Sequence, residues 1–255
     1  GSMSSRANLV AARLLRVPGA QRPAPTLLTY TGLRSKPWYD RSDSAFASWL
    51  PQLEAAAPEI RAEYDRVRAS GRPSDYRVSE SEHHAGTLHS APDEWHWANF
   101  IDRGRVQSGL WSECPRTASA LEAVPRLMVG DMPFAFAFFS TLKPRSRIAA
   151  HTAPVNLRLR FHLCLRAPEP SAISGDGARP ACAMRVADET RVWEEGQCLV
   201  FDDSYDHEVW NDADAERAVL LLDTWHPDLE ANEIKAIQQM FCEVEGMAEA
   251  RKSGR

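Results

Sequence analysis

The strongest constraint on the fold of this chain is an unbroken alternation of apolar and polar side chains over residues 155–165. Successive side chains of a β-strand point to opposite faces, so this stretch predicts one strand with two chemically different faces. The apolar face carries Val155, Leu157, Leu159, Phe161, Leu163 and Leu165, and the other face carries Asn156, Arg158, Arg160, His162 and Cys164.

The polar face of this strand has two interpretations. An amphipathic strand commonly turns its polar face to water. Here, however, two arginines and a histidine follow one another at every second position, and such a row can also point into a barrel that binds an anion. The alternation alone leaves both interpretations open.

Several further short strands follow one another in the second half of the chain. The pattern predicts strands at 134–142, 155–165, 182–186, 198–201, 208–210 and 217–225, separated by turn-forming residues. Helical spacing of apolar residues appears at about 46–53, 58–70, 117–124 and 231–248, the first of these with Ser42 or Asp43 as its N-cap. We therefore expect a mainly β barrel or sandwich with flanking N-terminal and C-terminal helices, whereas residues 74–113 give no clear pattern.

The N-terminal segment differs in charge from the rest of the chain. Residues 1–39 contain six basic residues and no acidic one, which leaves a net charge of −11 on the remainder. Residues 1–25 therefore suggest a targeting segment or a docking helix, ahead of a single domain at 26–255. An acidic body argues against nucleic acid as a partner.

Cysteine usage and hydropathy bear on the cellular compartment and on membrane insertion. The five cysteines are odd in number and form no CxxC pair, so the sequence predicts a reducing compartment, with cytoplasmic localisation as the first expectation and organelle targeting as the alternative. No apolar run is long enough to suggest a membrane span.

Two of the eight histidines stand between predicted strands. His151 precedes the alternating strand, and His207 lies in a polar stretch between two later strands. Two histidines on facing strand edges of a small barrel can share a metal ion. The other candidates, His83, His84, His89 and His96, are interpreted as loop or surface residues.

The same region resembles the aspartyl/asparaginyl β-hydroxylase family over about residues 134–229. The resemblance is carried by HTAPVNLRLRFH at 151–162, WEEG at 193–196, FDDSYDHEVW at 201–210, Arg217 and WHP at 225–227. Weaker matches upstream are GLRSKPW at 32–38 and CPRT at 114–117. The resemblance implies a double-stranded β-helix, the jelly-roll or cupin-like fold, with its core at about 134–229.

The resemblance also implies an oxygenase that uses Fe(II), 2-oxoglutarate and O₂, with His151 and His207 as the metal ligands. Many such enzymes have a carboxylate two residues after the first histidine, where this chain has Ala153. Water would then complete the metal site, and Asp203, or its neighbour Asp202, would accept a hydrogen bond from that water.

The remaining site residues follow from the same resemblance. Arg217 matches the arginine that binds the distal carboxylate of 2-oxoglutarate, and Ser140 matches a hydroxyl that assists it. Arg160, His162 and Trp97 match further cofactor-pocket residues, although the sequence does not decide whether Arg160 and His162 contact 2-oxoglutarate or substrate. Arg158 is expected to bind an acidic substrate or, alternatively, to pair with an acid of the barrel.

These expectations predict a hydroxylase that acts at Cβ of an Asp or Asn residue, or of a related acidic substrate, in a peptide or protein. It would release succinate and CO₂. The alternative from another class is a cupin-like protein that binds a metal or a small acid without turnover.

Overall fold

The computed structural model describes residues 22–76, 94–130, 132–175, 177 and 179–253, with side chains up to Val244. Its strands form two antiparallel sheets. In spatial order, the larger sheet consists of β1 (Trp38–Tyr39), β9 (Cys198–Phe201), β6 (Arg158–Arg166), β11 (Arg217–Trp225), β4 (Ala137–Leu142), β2 (Trp95–Asp102) and β3 (Arg105–Val106). The smaller sheet consists of β5 (Ser146–His151), β10 (His207–Asn211), β7 (Cys182–Val186) and β8 (Glu189–Arg191).

The path of the chain between the sheets confirms the expected double-stranded β-helix. From β4 onwards the chain alternates between the sheets, with β4, β6, β9 and β11 in the larger sheet and β5, β7, β8 and β10 in the smaller one. This back-and-forth winding is that of a jelly roll.

Strand β6 lies with its polar face inside the barrel. Leu159, Phe161 and Leu163 are fully buried on the outer face of the larger sheet, where they pack with the residues of the flanking helices. Cys164 belongs instead to the apolar cluster between the two sheets. Because helices cover the apolar face, the arginines and His162 point inward, which decides between the two interpretations of the alternation.

Short helices cover the outside of the larger sheet. They are α1 (Leu50–Ala55), α2 (Ala57–Ala69), α3 (Ser108–Glu113) and α4 (Pro115–Glu122), and the longer α5 (Ala231–Ser253) closes the described chain. Helix α5 packs through Ile237 and Phe241 on a separate cluster that includes Trp225. Among the described helices, none combines the length and the apolar character that a bilayer crossing requires.

Most predicted elements are present, with shifted ends. The helix expected from Ser42 or Asp43 begins only at Leu50. Asp43 does accept a hydrogen bond from the Ala45 amide, as an N-cap residue would, but residues 44–49 form a series of turns instead of a continuous helix. The stretch that gave no clear pattern contains β2, β3 and α3. The basic helix expected near the N-terminus lies in residues 1–21, outside the described part of the chain, as do His83, His84 and His89.

A buried carboxylate joins two of the helices on the outer face. Glu63 of α2 is 2% exposed and accepts hydrogen bonds from the backbone amides of Arg116 and Thr117, at 3.0 and 2.8 Å. It also accepts one from the Thr117 hydroxyl at 2.7 Å. These amides belong to the first turn of α4, where backbone N–H groups lack partners within the helix, so Glu63 supplies the missing acceptors.

Replacement of Glu63 by Ala should destabilise the fold by about 3 kcal/mol, because it leaves buried donors without acceptors. The matched control is Glu59→Ala on the same helix. Glu59 is mostly exposed and lies 3.8 Å from Arg116, so its loss should cost less than about 0.5 kcal/mol. Urea unfolding of both variants measures the difference, and equal losses would contradict the capping role.

Candidate active site

His151 and His207 lie side by side at one end of the smaller sheet. His151 is the last residue of β5 and His207 is the first residue of β10, and the two are directly opposite in the antiparallel register. Their ring centroids are 4.1 Å apart. With metal–nitrogen distances of about 2 Å, this separation is compatible with both rings binding one ion. We call these two residues the histidine pair.

Each ring of the histidine pair is held by a backbone carbonyl two residues earlier in the chain. Nδ1 of His151 lies 2.7 Å from the Ala149 oxygen, and Nδ1 of His207 lies 2.8 Å from the Tyr205 oxygen. A carbonyl oxygen only accepts, so Nδ1 of each neutral ring carries the proton and Nε2 keeps the lone pair that a metal requires.

Electrostatics keep the histidine pair neutral. Burial, together with the neighbouring His151, lowers the pKa of His207 to about 3. Burial also lowers the pKa of His151. Both rings are therefore in the metal-binding form at neutral pH.

The histidine pair has no third ligand in the part of the chain that the structure describes, where no cluster of three or more His, Cys, Asp or Glu side chains is arranged to hold a metal. Ala153, two residues after His151, is buried, and its amide donates to the Asp203 backbone oxygen at 2.8 Å. The Asp203 carboxylate is close enough to influence the pKa values of both histidines. This position is consistent with the expected role of Asp203 beside a metal-bound water.

Four charged side chains form what we call the ion cluster: the buried Arg158, Asp203 and Asp223, and the partly buried Arg160. Arg158 donates to both oxygens of Asp203, at 2.5 and 3.2 Å, and contacts Asp223 at 3.1 Å. Arg160 donates to both oxygens of Asp223, at 2.8 and 2.9 Å, and lies 3.1 Å from Asp203. Burial alone would raise the pKa of Asp203, but the two arginines hold it well below its ordinary value.

The ion cluster corrects the expected role of Arg158. Its side chain is 4% exposed, is paired with both carboxylates and also donates to the Phe134 carbonyl. The guanidinium is therefore committed to the protein, and the structure supports the alternative in which Arg158 pairs with acids of the barrel. Arg160 shares the same two partners but is partly accessible, with 14% of its side chain exposed.

Arg217 presents the opposite situation, a buried cation without a carboxylate partner among the described residues. It is 1% exposed at the start of β11. Its Nη1 lies 3.3 Å from the Ser140 hydroxyl, its Nε has no hydrogen-bond partner, and its guanidinium stacks 4.8 Å from the Trp193 ring centre. Burial lowers the pKa of Arg217, yet an arginine stays charged. A buried cation without a counter-charge is costly, and a bound anion would relieve that cost.

His162 lies in the same part of the barrel interior. Its ring stacks on Trp193 and packs against Phe201, and both of its nitrogens are buried without a partner. Burial, Arg217 and Arg160 in that order hold its pKa well below the ordinary value, and His207 adds to the effect. His162 is thus neutral and is influenced by both the histidine pair and Arg217.

The predicted pocket residues Ser140 and Trp97 are neighbours across β4 and β2, where they are directly opposite in the register. The indole nitrogens of Trp97 and Trp193 are also buried without partners. The interior around Arg217 therefore offers several unused N–H donors, and such donors fit a carboxylate-bearing ligand.

Asp223 is the site residue that the sequence analysis missed. It is the one acidic residue of β11, is fully buried, and lies directly opposite Arg160 in the β6–β11 register. Its isolation within 217–225 is the signal that would have identified it, because a lone carboxylate in a buried strand requires a cationic partner.

The remaining described histidines have other roles. His96 lies on β2, 3.0 Å from the Arg72 carbonyl. His226, from the WHP stretch, is fully buried. Its Nε2 lies 3.1 Å from both the Tyr39 hydroxyl and the Arg34 carbonyl oxygen, and its Nδ1 accepts a hydrogen bond from the Asp228 amide. Neither belongs to the histidine pair.

Comparison with known proteins identifies the family. A family model described as Aspartyl/Asparaginyl beta-hydroxylase matches residues 54–227. This chain belongs to that family. Its members include human aspartyl/asparaginyl beta-hydroxylase, which is 29% identical over 211 residues, 80% of this chain and 24% of that protein. The chain thus spans about a quarter of the length of this relative.

Two further relatives of the aspartyl/asparaginyl β-hydroxylase family match more of their own length. Ornithine lipid ester-linked acyl 2-hydroxylase of Rhizobium tropici is 33% identical over 207 residues, 78% of this chain and 64% of that protein. Aspartate beta-hydroxylase domain-containing protein 2 of Rattus norvegicus is 34% identical over 230 residues, which cover 88% of this chain and 60% of that protein. Among solved structures, a Pseudomonas putida prolyl-4-hydroxylase aligns with a TM-score of 0.38 and 16% identity, over 67% of this chain and 87% of its own.

Replacing His151 or His207 by Ala should abolish tight binding of Fe(II), because one imidazole alone cannot hold the ion. Isothermal titration under anaerobic conditions measures this. The matched control is His96→Ala, a strand histidine outside the pair, which should keep wild-type affinity. Ordinary Fe(II) binding by His151→Ala would refute the assignment.

Proposed function

We propose that this protein is an Fe(II)- and 2-oxoglutarate-dependent hydroxylase. The observation that carries the proposal is Arg217, a buried cation without a carboxylate partner among the described residues, in the same barrel interior as the histidine pair. A metal site together with an anion site fits a dicarboxylate that reaches the metal at one end and Arg217 at the other. Family membership supports the same function.

The chain's own residues fit both groups. His151 and His207 would hold the iron through Nε2. Arg217 and the Ser140 hydroxyl would bind the distal carboxylate of 2-oxoglutarate, while the unpaired nitrogens of His162 and Trp97 are available to its other oxygens. When bound, iron and 2-oxoglutarate supply an oxidant from O₂, with release of succinate and CO₂.

The protein contributes orientation, charge and exclusion of water. The backbone carbonyls of Ala149 and Tyr205 fix the histidine tautomers. The two arginines keep Asp203 ionised, so its carboxylate can accept a hydrogen bond from a donor beside the histidine pair. Phe138, Phe201 and neighbouring apolar side chains line the space between the sheets, and they would limit the access of water to a ligand bound there.

Arg217→Ala should raise the 2-oxoglutarate concentration needed for half-maximal turnover by about tenfold or more, because it removes charge-assisted hydrogen bonds to a buried carboxylate. The assay is formation of succinate from 2-oxoglutarate with iron and O₂. Arg191→Ala is the control, since Arg191 lies near the surface and pairs with Glu189. Equal effects of the two changes would refute the anchor role.

The same assay separates the enzyme from the alternative, a cupin-like binding protein. Such a protein would bind iron and 2-oxoglutarate but would form no succinate above the level of the His207→Ala variant. Uncoupled turnover without prime substrate is measured in parallel by the loss of 2-oxoglutarate.

For the prime substrate we propose a methylene group next to a carbonyl carbon. The Cβ of an Asp or Asn residue is such a carbon, and so is C2 of an ester-linked acyl chain, the position that the name of the Rhizobium tropici relative specifies. An Asp or Asn residue in a peptide or protein is the first candidate, in line with the human relative's name. The acyl chain is the second, because Arg158 and Arg160 are already paired with Asp203 and Asp223 and thus do not demand an acidic substrate.

A substrate panel tests this class. Asp-, Asn- and Leu-centred peptides and an ester-linked acyl amphiphile are incubated with the full chain, and a mass gain of one oxygen atom is measured. Hydroxylation of the Asp or Asn peptides supports the first candidate, and hydroxylation of the amphiphile at C2 supports the second. Turnover of the Leu peptides alone would contradict both.

A further inference from the structure

Residues 22–39, which we call the arm, contact the two loops that adjoin the histidine pair, one after His151 and one before His207. The Ala24 amide donates to the Ser204 carbonyl at 2.7 Å, three residues before the second histidine of the pair. The Thr26 amide donates to the Ala153 carbonyl at 3.0 Å, two residues after the first. The arm is therefore a bridge of hydrogen bonds between the two loops.

A second connection from the arm reaches His207 itself. The Ser35 hydroxyl lies 2.7 Å from the Tyr205 hydroxyl. Tyr205 is 3% exposed and packs in the apolar cluster between the sheets, and its backbone oxygen accepts a hydrogen bond from Nδ1–H of His207. The arm therefore contacts the side chain of the residue whose backbone carbonyl holds the His207 ring.

The arm is anchored independently of Tyr205. The backbone of Tyr30 exchanges two hydrogen bonds with the Asn156 amide group, at 2.7 and 2.9 Å. Arg34 contacts the Asp228 carboxylate through both its backbone amide and its guanidinium, at 2.8 and 2.9 Å. Ser35 thus occupies a defined position before any metal binds.

We propose that Ser35 and Tyr205 are positioning residues for the metal site, an inference that rests on the proposed function. A two-histidine site without a third ligand among the described residues has few protein contacts to the ion, so its affinity depends on the orientation of each ring. Groups that hydrogen-bond to metal-binding histidines typically change metal affinity by roughly 10- to 100-fold. The hydroxyl pair acts one step further out, through the Tyr205 carbonyl.

The test uses Co²⁺ as a visible probe, bound to the full chain. Tyr205→Phe and Ser35→Ala each remove the hydroxyl pair and should weaken Co²⁺ binding by about three- to tenfold and shift its visible absorption spectrum, since the His207 ring is then less firmly oriented. The double variant should be no weaker than the single ones, because both changes remove the same hydrogen bond. Ser35→Thr keeps a hydroxyl and should restore binding.

Tyr30→Phe is the matched control. Tyr30 is also a tyrosine of the arm, but its hydroxyl donates to Glu233 of α5 at 2.6 Å, away from the histidine pair. Its loss should leave the Co²⁺ affinity and spectrum unchanged. Thermal melting of every variant is recorded beside the titrations.

The outcomes distinguish this inference from the proposed function. If Tyr205→Phe and Ser35→Ala bind Co²⁺ like the wild type while His207→Ala does not, the positioning role is overturned and the proposed function stands. A lowered melting temperature with unchanged affinity, or additive losses in the double variant, would also overturn the positioning role. If the wild type binds no Co²⁺, both the inference and the proposed function are wrong.

Discussion

The pairing of two arginines with two buried aspartates organises the interior of the barrel. Buried charges are tolerated only when they are paired and hydrogen-bonded, and removal of one partner typically costs about 3–5 kcal/mol. Arg158 and Arg160 belong to β6, Asp223 belongs to β11, and Asp203 lies in the loop that leads to β10. The ion cluster therefore joins the two central strands of the larger sheet to the loop before His207. Asp223 also accepts a hydrogen bond from the Phe136 amide, so the ion cluster also contacts the residue just before β4.

Local sequence patterns were sufficient to predict the strands that are buried in a mostly apolar environment. The bounds of β7, β9 and β11 match the predicted strands, because each of these stretches is mostly apolar and is followed by polar or turn-forming residues. The bounds of β5 could not be predicted, since Ser146–His151 is a short edge strand in which buried and exposed residues do not alternate cleanly. Strand β2 was missed because it mixes Trp, His and Asn with apolar residues, so that its hydrophobic pattern is neither helical nor alternating.

The candidate site was only partly predictable for a related reason. Family motifs singled out His151, His207 and Arg217 as site residues, and the fold brings the two histidines together through the register of two antiparallel strands. The partner of an arginine, in contrast, depends on which residue lies opposite it in another strand. Sequence alone therefore could not distinguish Arg158, which is neutralised within the protein, from Arg217, which is buried without a carboxylate partner among the described residues.

The unneutralised charge of Arg217 links folding to the small-molecule environment. A ligand that binds only the folded protein stabilises it by RT ln(1 + [L]/Kd), which is about 1.4 kcal/mol at a tenfold excess over Kd. Any small carboxylate that binds this guanidinium relieves the cost of burying the arginine and stabilises the folded protein in this way. A higher concentration of such a carboxylate would then lower the fraction of unfolded, protease-sensitive chains, whether or not a prime substrate is present.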